Sequence, residues 1–118
     1  MKLIQHLSDI EELKARGSIP IEYLKQIETE FLNWYEAEGM RESLTEFRLP
    51  TESCMYHLEE KEDTRFITSQ MLNIEYVEKE ELNDCTYFRI GLMNDHQMNI
   101  LFFLEGTIDQ QFEKWLQL

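Results

Sequence analysis

Basic residues are scarce in this chain, which has 11 lysines and arginines against 24 aspartates and glutamates and a net charge of −13 over 118 residues. Holding nucleic acid through its phosphates, or lying on an anionic membrane, requires clusters of lysine and arginine. The composition therefore argues against nucleic acid and membranes as partners. It favours a basic protein partner, because an excess of negative charge attracts positively charged molecules over a distance.

Cysteine and glycine are also rare, with two and four residues. Cys54 and Cys85 are too few for a disulfide framework, and we interpret them as small buried side chains in a reducing compartment. The glycines stand singly, which excludes a glycine-rich phosphate loop, and no serine has the flanking glycines of a nucleophile elbow. We predict no cofactor.

The chain also lacks a long apolar run. Its first residues meet an acidic side chain by Asp9, too early for a signal peptide or a membrane span, so we expect a cytoplasmic location. The hydrophobic content of 42% is nevertheless that of a chain that folds. Because no linker, repeat or low-complexity segment divides the sequence, we predict one domain over residues 1–118.

Two helices are predicted near the N-terminus from their end signals. Ser8 and Glu11 fit a capping box, and Gly17 is placed to end that helix. Pro20 opens a longer helix that continues to Gly39, with its apolar side chains on one arc at helical spacing.

The end of the chain predicts a third helix. Thr107 and Gln110 fit a second capping box, and Phe112, Trp115 and Leu116 follow on one side. This helix would dock on the rest of the protein.

Between these helices the apolar period changes to that of strands. Residues 85–93 and 98–105 flank a loop at 94–97 and predict an antiparallel hairpin whose second strand is apolar on both faces. Weaker strand patterns occupy 44–49, 54–59, 65–71 and 72–77. The fold class predicted is therefore α+β: two N-terminal helices, an antiparallel sheet of about four to six strands, and a C-terminal helix packed on the sheet. We expect one core, formed by Ile27, Phe31, Trp34, Phe88, Ile90, Ile100, Phe102, Phe112 and Trp115.

Catalytic and metal-binding groupings are weak, and we predict neither. Cys54 and His57 would point to opposite faces of a strand, because residues an odd number apart do so. His57 with Glu59, and Asp95 with His96, offer metal-ligand types but not the close spacing that makes a metal motif specific.

Two dense acidic runs, at 59–63 and 78–84, form the candidate recognition surface. In the simpler interpretation they are solvated loops that keep the protein soluble. As acidic lobes at a sheet edge, they would steer a basic protein to the surface, with nearby tyrosines as aromatic anchors. The candidate binding residues are Glu59, Glu60, Glu62, Asp63, Glu78, Glu80, Glu81, Tyr56 and Tyr76.

The functional hypothesis is a non-enzymatic acidic binding protein that recognises a basic protein surface, as an inhibitor, immunity protein or antidote does. One alternative is a small enzyme or ligand-binding domain with a pocket between helix and sheet, using His57, Cys54 or nearby carboxylates. Another is a homo-oligomeric structural subunit that buries the strand apolar on both faces.

Overall fold

The computed structural model describes residues 1–37, 53–94 and 97–117, with side chains for all of these except 34–37 and 53. The α+β class is confirmed, with two N-terminal helices, a five-stranded sheet and a C-terminal helix. In chain order the elements are β1 (Lys2–Ile4), α1 (Leu7–Ala15), α2 (Ile21–Ala37), β2 (Ser53–His57), α3 (Thr64–Ser69), β3 (Ile74–Glu81), β4 (Thr86–Asn94), β5 (Gln97–Leu104) and α4 (Gln110–Leu116).

The sheet has the strand order β1-β2-β5-β4-β3 and is mixed rather than antiparallel throughout. Strands β2 and β5 run parallel, with Met55 opposite Ile100 and His57 opposite Phe102, and the other pairs are antiparallel. The sequence did not predict the parallel pair, because an alternation of apolar and polar residues looks the same whichever way the neighbouring strand runs.

Helices cover both faces of this sheet, so the described residues form two cores instead of the one expected. On the first face, α1 and α2 pack against the sheet through Ile10, Leu13, Tyr23, Leu24, Ile27 and Phe31, which meet Met55, Tyr87, Ile100 and Phe102. On the second face, Ile67 of α3 and part of α4 pack against Phe88, Ile90, Leu92, Leu101 and Phe103. The alternation along β5 supplies both cores.

Aspartates cap the N-termini of α1 and α4, in place of the capping boxes predicted at Ser8 and Thr107. The Asp9 carboxylate accepts hydrogen bonds from the amides of Gln5 and His6, both at 2.9 Å, so α1 begins before Ser8. The Asp109 carboxylate accepts from the amide of Phe112 at 3.1 Å and starts α4. Both helices nevertheless begin within two or three residues of the predicted positions.

Trp115 was wrongly assigned to the core, since 47% of its surface is exposed and Phe112 is only partly buried. The buried position on α4 belongs to Glu113, whose carboxylate accepts a hydrogen bond from the amide of Gly106 at 3.0 Å. Residues two apart on a helix point in nearly opposite directions, so with Glu113 on the buried side the indole of Trp115 lies toward solvent. Trp34 lies outside the residues whose side chains are described.

Two of the weak strand predictions are corrected. Residues 65–71 were predicted as a strand, but α3 is a helix, because packing of Phe66 and Ile67 on the second face outweighs the strand preference of its β-branched residues. The strand predicted at 72–77 begins at Ile74 and continues to Glu81, whereas Leu72 stands in a single 3-10 turn. The prediction for 44–49 lies outside the described residues.

The hairpin of β4 and β5 is confirmed, with strands that pair as far as Asn94 and Gln97. The loop predicted at 94–97 is therefore shorter, and its residues 95–96 lie outside the description. In the described ranges, no helix is long and apolar enough to cross a membrane.

Gly91 on β4 leaves room for an aromatic ring. A Cβ placed there would lie 2.1 Å from Cε1 of Tyr76, its cross-strand neighbour. We therefore expect Gly91→Ala to lower the free energy of unfolding by about 1–3 kcal/mol, as overpacking does. Chemical denaturation of G91A, Y76A and the double variant would measure this effect. If the loss in G91A is the same with and without the Tyr76 ring, the two side chains do not compete for this space.

Candidate functional site

The first acidic run follows β2, and its first and last residues, Glu59 and Asp63, form ion pairs with other parts of the protein. Glu59 forms an ion pair with Arg16 at the end of α1. Asp63 accepts hydrogen bonds from the amides of Glu59 and Glu60 at 2.8 and 3.1 Å and lies 3.2 Å from the amino group of Met1. Although partial burial raises the pKa of Asp63, these hydrogen bonds and the amine outweigh it and hold the pKa below its usual value.

The second acidic run begins in the last half of β3 and ends with Asp84 in the turn before β4. Glu78, Glu80 and Glu81 all lie in β3, with Glu78 and Glu80 on the first face and Glu81 on the second. Glu78 is 3.5 Å from the guanidinium of Arg89 on β4. Glu80 and Glu81 are exposed, and neither is within ion-pair distance of a basic group in the part of the chain that the structure describes.

The fold brings the two runs to the same end of the sheet. Strands β2, β5 and β3 all run in one direction, so the residues after β2 and the last residues of β3 lie at that common end. Two strands separate β2 from β3, so the two strands themselves are about 14 Å apart across the sheet. Five carboxylates of the two runs are exposed and have no ion-pair partner among the described residues: Glu60, Glu62, Glu80, Glu81 and Asp84. We call the four glutamates the acidic rim.

The two candidate tyrosines are not brought together. Tyr56 lies on the second face with its ring 5.4 Å from that of Phe66. Tyr76 lies on the first face over Gly91, with the Arg89 guanidinium 5.0 Å from its ring centre. Both are half-buried, and burial raises the pKa of each hydroxyl. A partner seated on one face would meet one of them.

Arg89 links the second run to α2, an arrangement that the sequence analysis missed. Its guanidinium forms an ion pair with Glu30 of α2, which, together with Glu78, keeps the pKa of Arg89 above its usual value despite the opposing effect of burial. The sequence signal was a single arginine inside an otherwise apolar strand, since such a charge needs a partner close by. Glu78 is therefore partly compensated, unlike Glu80 and Glu81.

A cleft of about 280 Å³ opens at the same end of the sheet, beside the loop between α1 and α2. It lies at the carboxyl ends of the parallel strands β2 and β5, the position where open sheets with parallel strands commonly bind ligands. Its lining includes Arg16, Ser18, His57, Glu60 and Thr107.

His57 is the buried polar group of this cleft, with 4% of its surface exposed. Its Nδ1 is 2.7 Å from the hydroxyl of Tyr23 on α2. Burial raises the pKa of Tyr23 well above its usual value and lowers that of His57 to about 4, so both groups are neutral at pH 7. The Tyr23 hydroxyl has no other hydrogen-bond partner among the described residues, and it therefore donates to Nδ1, leaving the imidazole proton on Nε2.

This arrangement fits hydrogen bonding better than proton transfer. The ring nitrogen that accepts is already bonded to Tyr23, and the other carries a proton that the cleft can offer to an oxygen of a ligand. A group with a pKa of about 4 is also a poor base near neutral pH. In the described ranges, no three His, Cys, Asp or Glu side chains are placed to hold a metal ion. Asp95 and His96 lie outside them.

Comparison of the chain with models of protein families, with curated proteins and with solved structures gave no match.

Proposed function

We propose that this is a non-enzymatic binding protein that recognises a basic protein surface with the acidic rim, as an inhibitor, immunity protein or antidote does. The observation that carries the proposal is the gathering of Glu60, Glu62, Glu80 and Glu81 at one end of the sheet, all exposed and without an ion-pair partner among the described residues. Uncompensated charges of one sign on one surface attract an oppositely charged partner before contact.

Three other acidic residues of the two runs have basic partners, which distinguishes them from the acidic rim. Glu59, Asp63 and Glu78 are held by Arg16, by the amino group of Met1 and by Arg89. The charges of Glu59 and Asp63 are balanced by these partners, and that of Glu78 is balanced in part because Arg89 also pairs with Glu30, so the three add less to the field than the rim carboxylates do. They fix the backbone from which the rim residues project.

A cytoplasmic location would fit the two cysteines, because Cys54 and Cys85 are free thiols and a reducing compartment preserves thiols. A basic protein of the same compartment is then the expected partner. No cofactor is part of this proposal.

Neutralising either half of the acidic rim is expected to slow association. The double variants E60Q/E62Q and E80Q/E81Q should each reduce the on-rate by roughly threefold to tenfold at low salt, and flatten its salt dependence, because electrostatic steering acts on the encounter. The measurement is stopped-flow kinetics at two salt concentrations against the basic protein captured from a native lysate.

The matched control is E11Q/E12Q on α1. It removes the same net charge, but from carboxylates that pair with Lys14 at 3.4 Å and with Lys2 at 2.7 Å. The on-rate of the control should change less than that of either rim variant. Equal changes in all three would show that net charge alone attracts the partner, and the acidic rim would then not be its recognition surface.

Binding of a small neutral ligand in the cleft is a second candidate function, favoured by the Nε2–H of His57, which forms no hydrogen bond among the described residues. The volume of about 280 Å³ is at the lower limit for such sites. Imidazole ¹⁵N resonances recorded during a fragment screen would test it, since a bound oxygen acceptor shifts the Nε2 resonance of His57.

A further inference from the structure

Strand β3 is an edge strand, and in the described ranges it pairs with β4 alone. The amide of Leu82 donates to the carbonyl of Cys85 at 2.8 Å, which makes this a hydrogen-bonded pair of the hairpin. In an antiparallel pair such positions alternate with positions whose backbone groups point away. The amides and carbonyls of Val77, Lys79 and Glu81 therefore face outward from the sheet.

An apolar groove of about 330 Å³ runs beside this edge on the second face. Strand β3 and the turn before it form one side, and α4 forms the other. Met71 and Trp115 of the lining are exposed, and Leu72, which follows Met71 in the chain, is exposed completely. The residues that line the groove are Met71, Ile74, Val77, Trp115 and Leu116.

The charge along β3 indicates which kind of strand could pair with its free edge. Strand β3 carries the carboxylates of Glu75, Glu78, Glu80 and Glu81 and a single basic residue, Lys79. Pairing of two copies through β3 would bring like charges together, which is a common way in which edge strands avoid self-association. A strand rich in lysine and arginine would find opposite charges instead.

We propose that an extended basic segment of the partner adds to β3 as a sixth strand and places an apolar side chain in the groove between β3 and α4. This inference rests on the proposed function and specifies its mode of binding. Backbone hydrogen bonds to Val77, Lys79 and Glu81 would provide affinity, and the groove and the glutamates would select alternating apolar and basic side chains.

The first test uses two synthetic peptides of equal charge and length. One alternates lysine with valine, and the other alternates lysine with glycine and so lacks both strand propensity and apolar side chains. The lysine–valine peptide should bind more tightly and slow the exchange of the Val77, Lys79 and Glu81 amides at least about tenfold by NMR. The lysine–glycine peptide should leave these amides unchanged.

The second test uses Lys79→Pro and Lys79→Ala. Both remove the lysine charge, its hydrogen bond to Gln117 and its ion pair with Glu105. Only K79P also removes the outward amide, and an edge strand tolerates proline at such a position. The lysine–valine peptide should bind K79A at least as well as the unaltered protein, because the edge has become more acidic. It should bind K79P roughly fivefold more weakly than K79A, as expected for one lost hydrogen bond.

Trp115→Ala provides a variant that does not alter the strand. The exposed indole borders the groove, so W115A should lower the affinity for the lysine–valine peptide and leave the affinity for the lysine–glycine peptide unchanged. Thermal unfolding of each variant would confirm that it is folded.

Several outcomes would overturn the inference. If the lysine–valine peptide binds K79P and K79A equally well, or leaves the exchange of the Val77, Lys79 and Glu81 amides unchanged, it does not add to this edge. Slow exchange of the three amides without peptide would show that the edge is already covered, by another part of the chain or, if it depends on protein concentration, by a second copy. The proposed function fails separately, if the rim variants leave the on-rate of the basic partner unchanged.

Discussion

Replacing Phe102 by alanine is expected to lower the free energy of unfolding by about 3–5 kcal/mol. Phe102 lies on β5, the middle strand of the sheet, and is fully buried in the first-face core, where its ring centre is 6.5 Å from that of Tyr87. It is flanked by strands on both sides and covered by α2, so its neighbours cannot close the space that the ring leaves. Urea denaturation at equilibrium measures the loss.

Trp115→Ala is the comparison for this prediction. Its side chain is larger than that of Phe102 but almost half exposed. Its removal should therefore cost less than about 1 kcal/mol. Equal losses of stability in the two variants would contradict the prediction that burial determines how much each aromatic residue contributes.

Lowering the pH from 7 to 4 is expected to remove about 3 kcal/mol of stability through His57. Burial lowers the pKa of His57 from 6.5 to about 4. The unfolded chain therefore binds a proton at this residue near pH 6.5, whereas the folded protein does so only near pH 4. The stabilisation is complete above pH 6.5 and is lost progressively as the pH falls from there to 4.

Unfolding free energies of the protein and of His57→Gln across this range would test the prediction. The glutamine does not titrate, and its amide oxygen can accept the hydrogen bond from Tyr23. His6 and His96 are present in both proteins and cancel in the comparison. Asp63, whose pKa is lowered, is also present in both proteins and cancels in the same way. Parallel curves between pH 4 and 6.5 would contradict the burial of a neutral imidazole.

Local sequence signals predicted most of the elements but not how they pair. Helix α2 follows from Pro20 and an unbroken apolar arc, and the β4–β5 hairpin follows from two strand patterns close together. Strand β1 has three residues, too few for a period to be recognised. Helix α3 was missed because Ile67 and Thr68 are β-branched, and packing of Ile67 on the second face overrides that preference.

The composition of the candidate site could be predicted, whereas its geometry could not. The acidic runs were visible as residue types, but their meeting at one end of the sheet depends on the pairing of β2 with β5, which joins residues far apart in the chain. Glu59, Asp63 and Glu78 could not be separated from the acidic rim, because their partners Arg16, Met1 and Arg89 are identified only in the folded state. The hydrogen bond between His57 and Tyr23 depends on the same long-range packing.

The parallel pair also has a consequence for how the chain emerges from the ribosome. Strand β2 can pair with β1 once both have left the ribosome, but its other neighbour, β5, is the last strand of this sheet to be synthesised. At a rate of roughly 5–20 residues per second, β2 waits for several seconds with one edge unpaired and Met55 without its neighbour Ile100. During this interval the unpaired edge of β2 can pair with a wrong strand, including a strand of another copy of the chain. The surplus of acidic residues would make two copies repel each other and so reduce this mispairing, before the same charges take part in binding a partner.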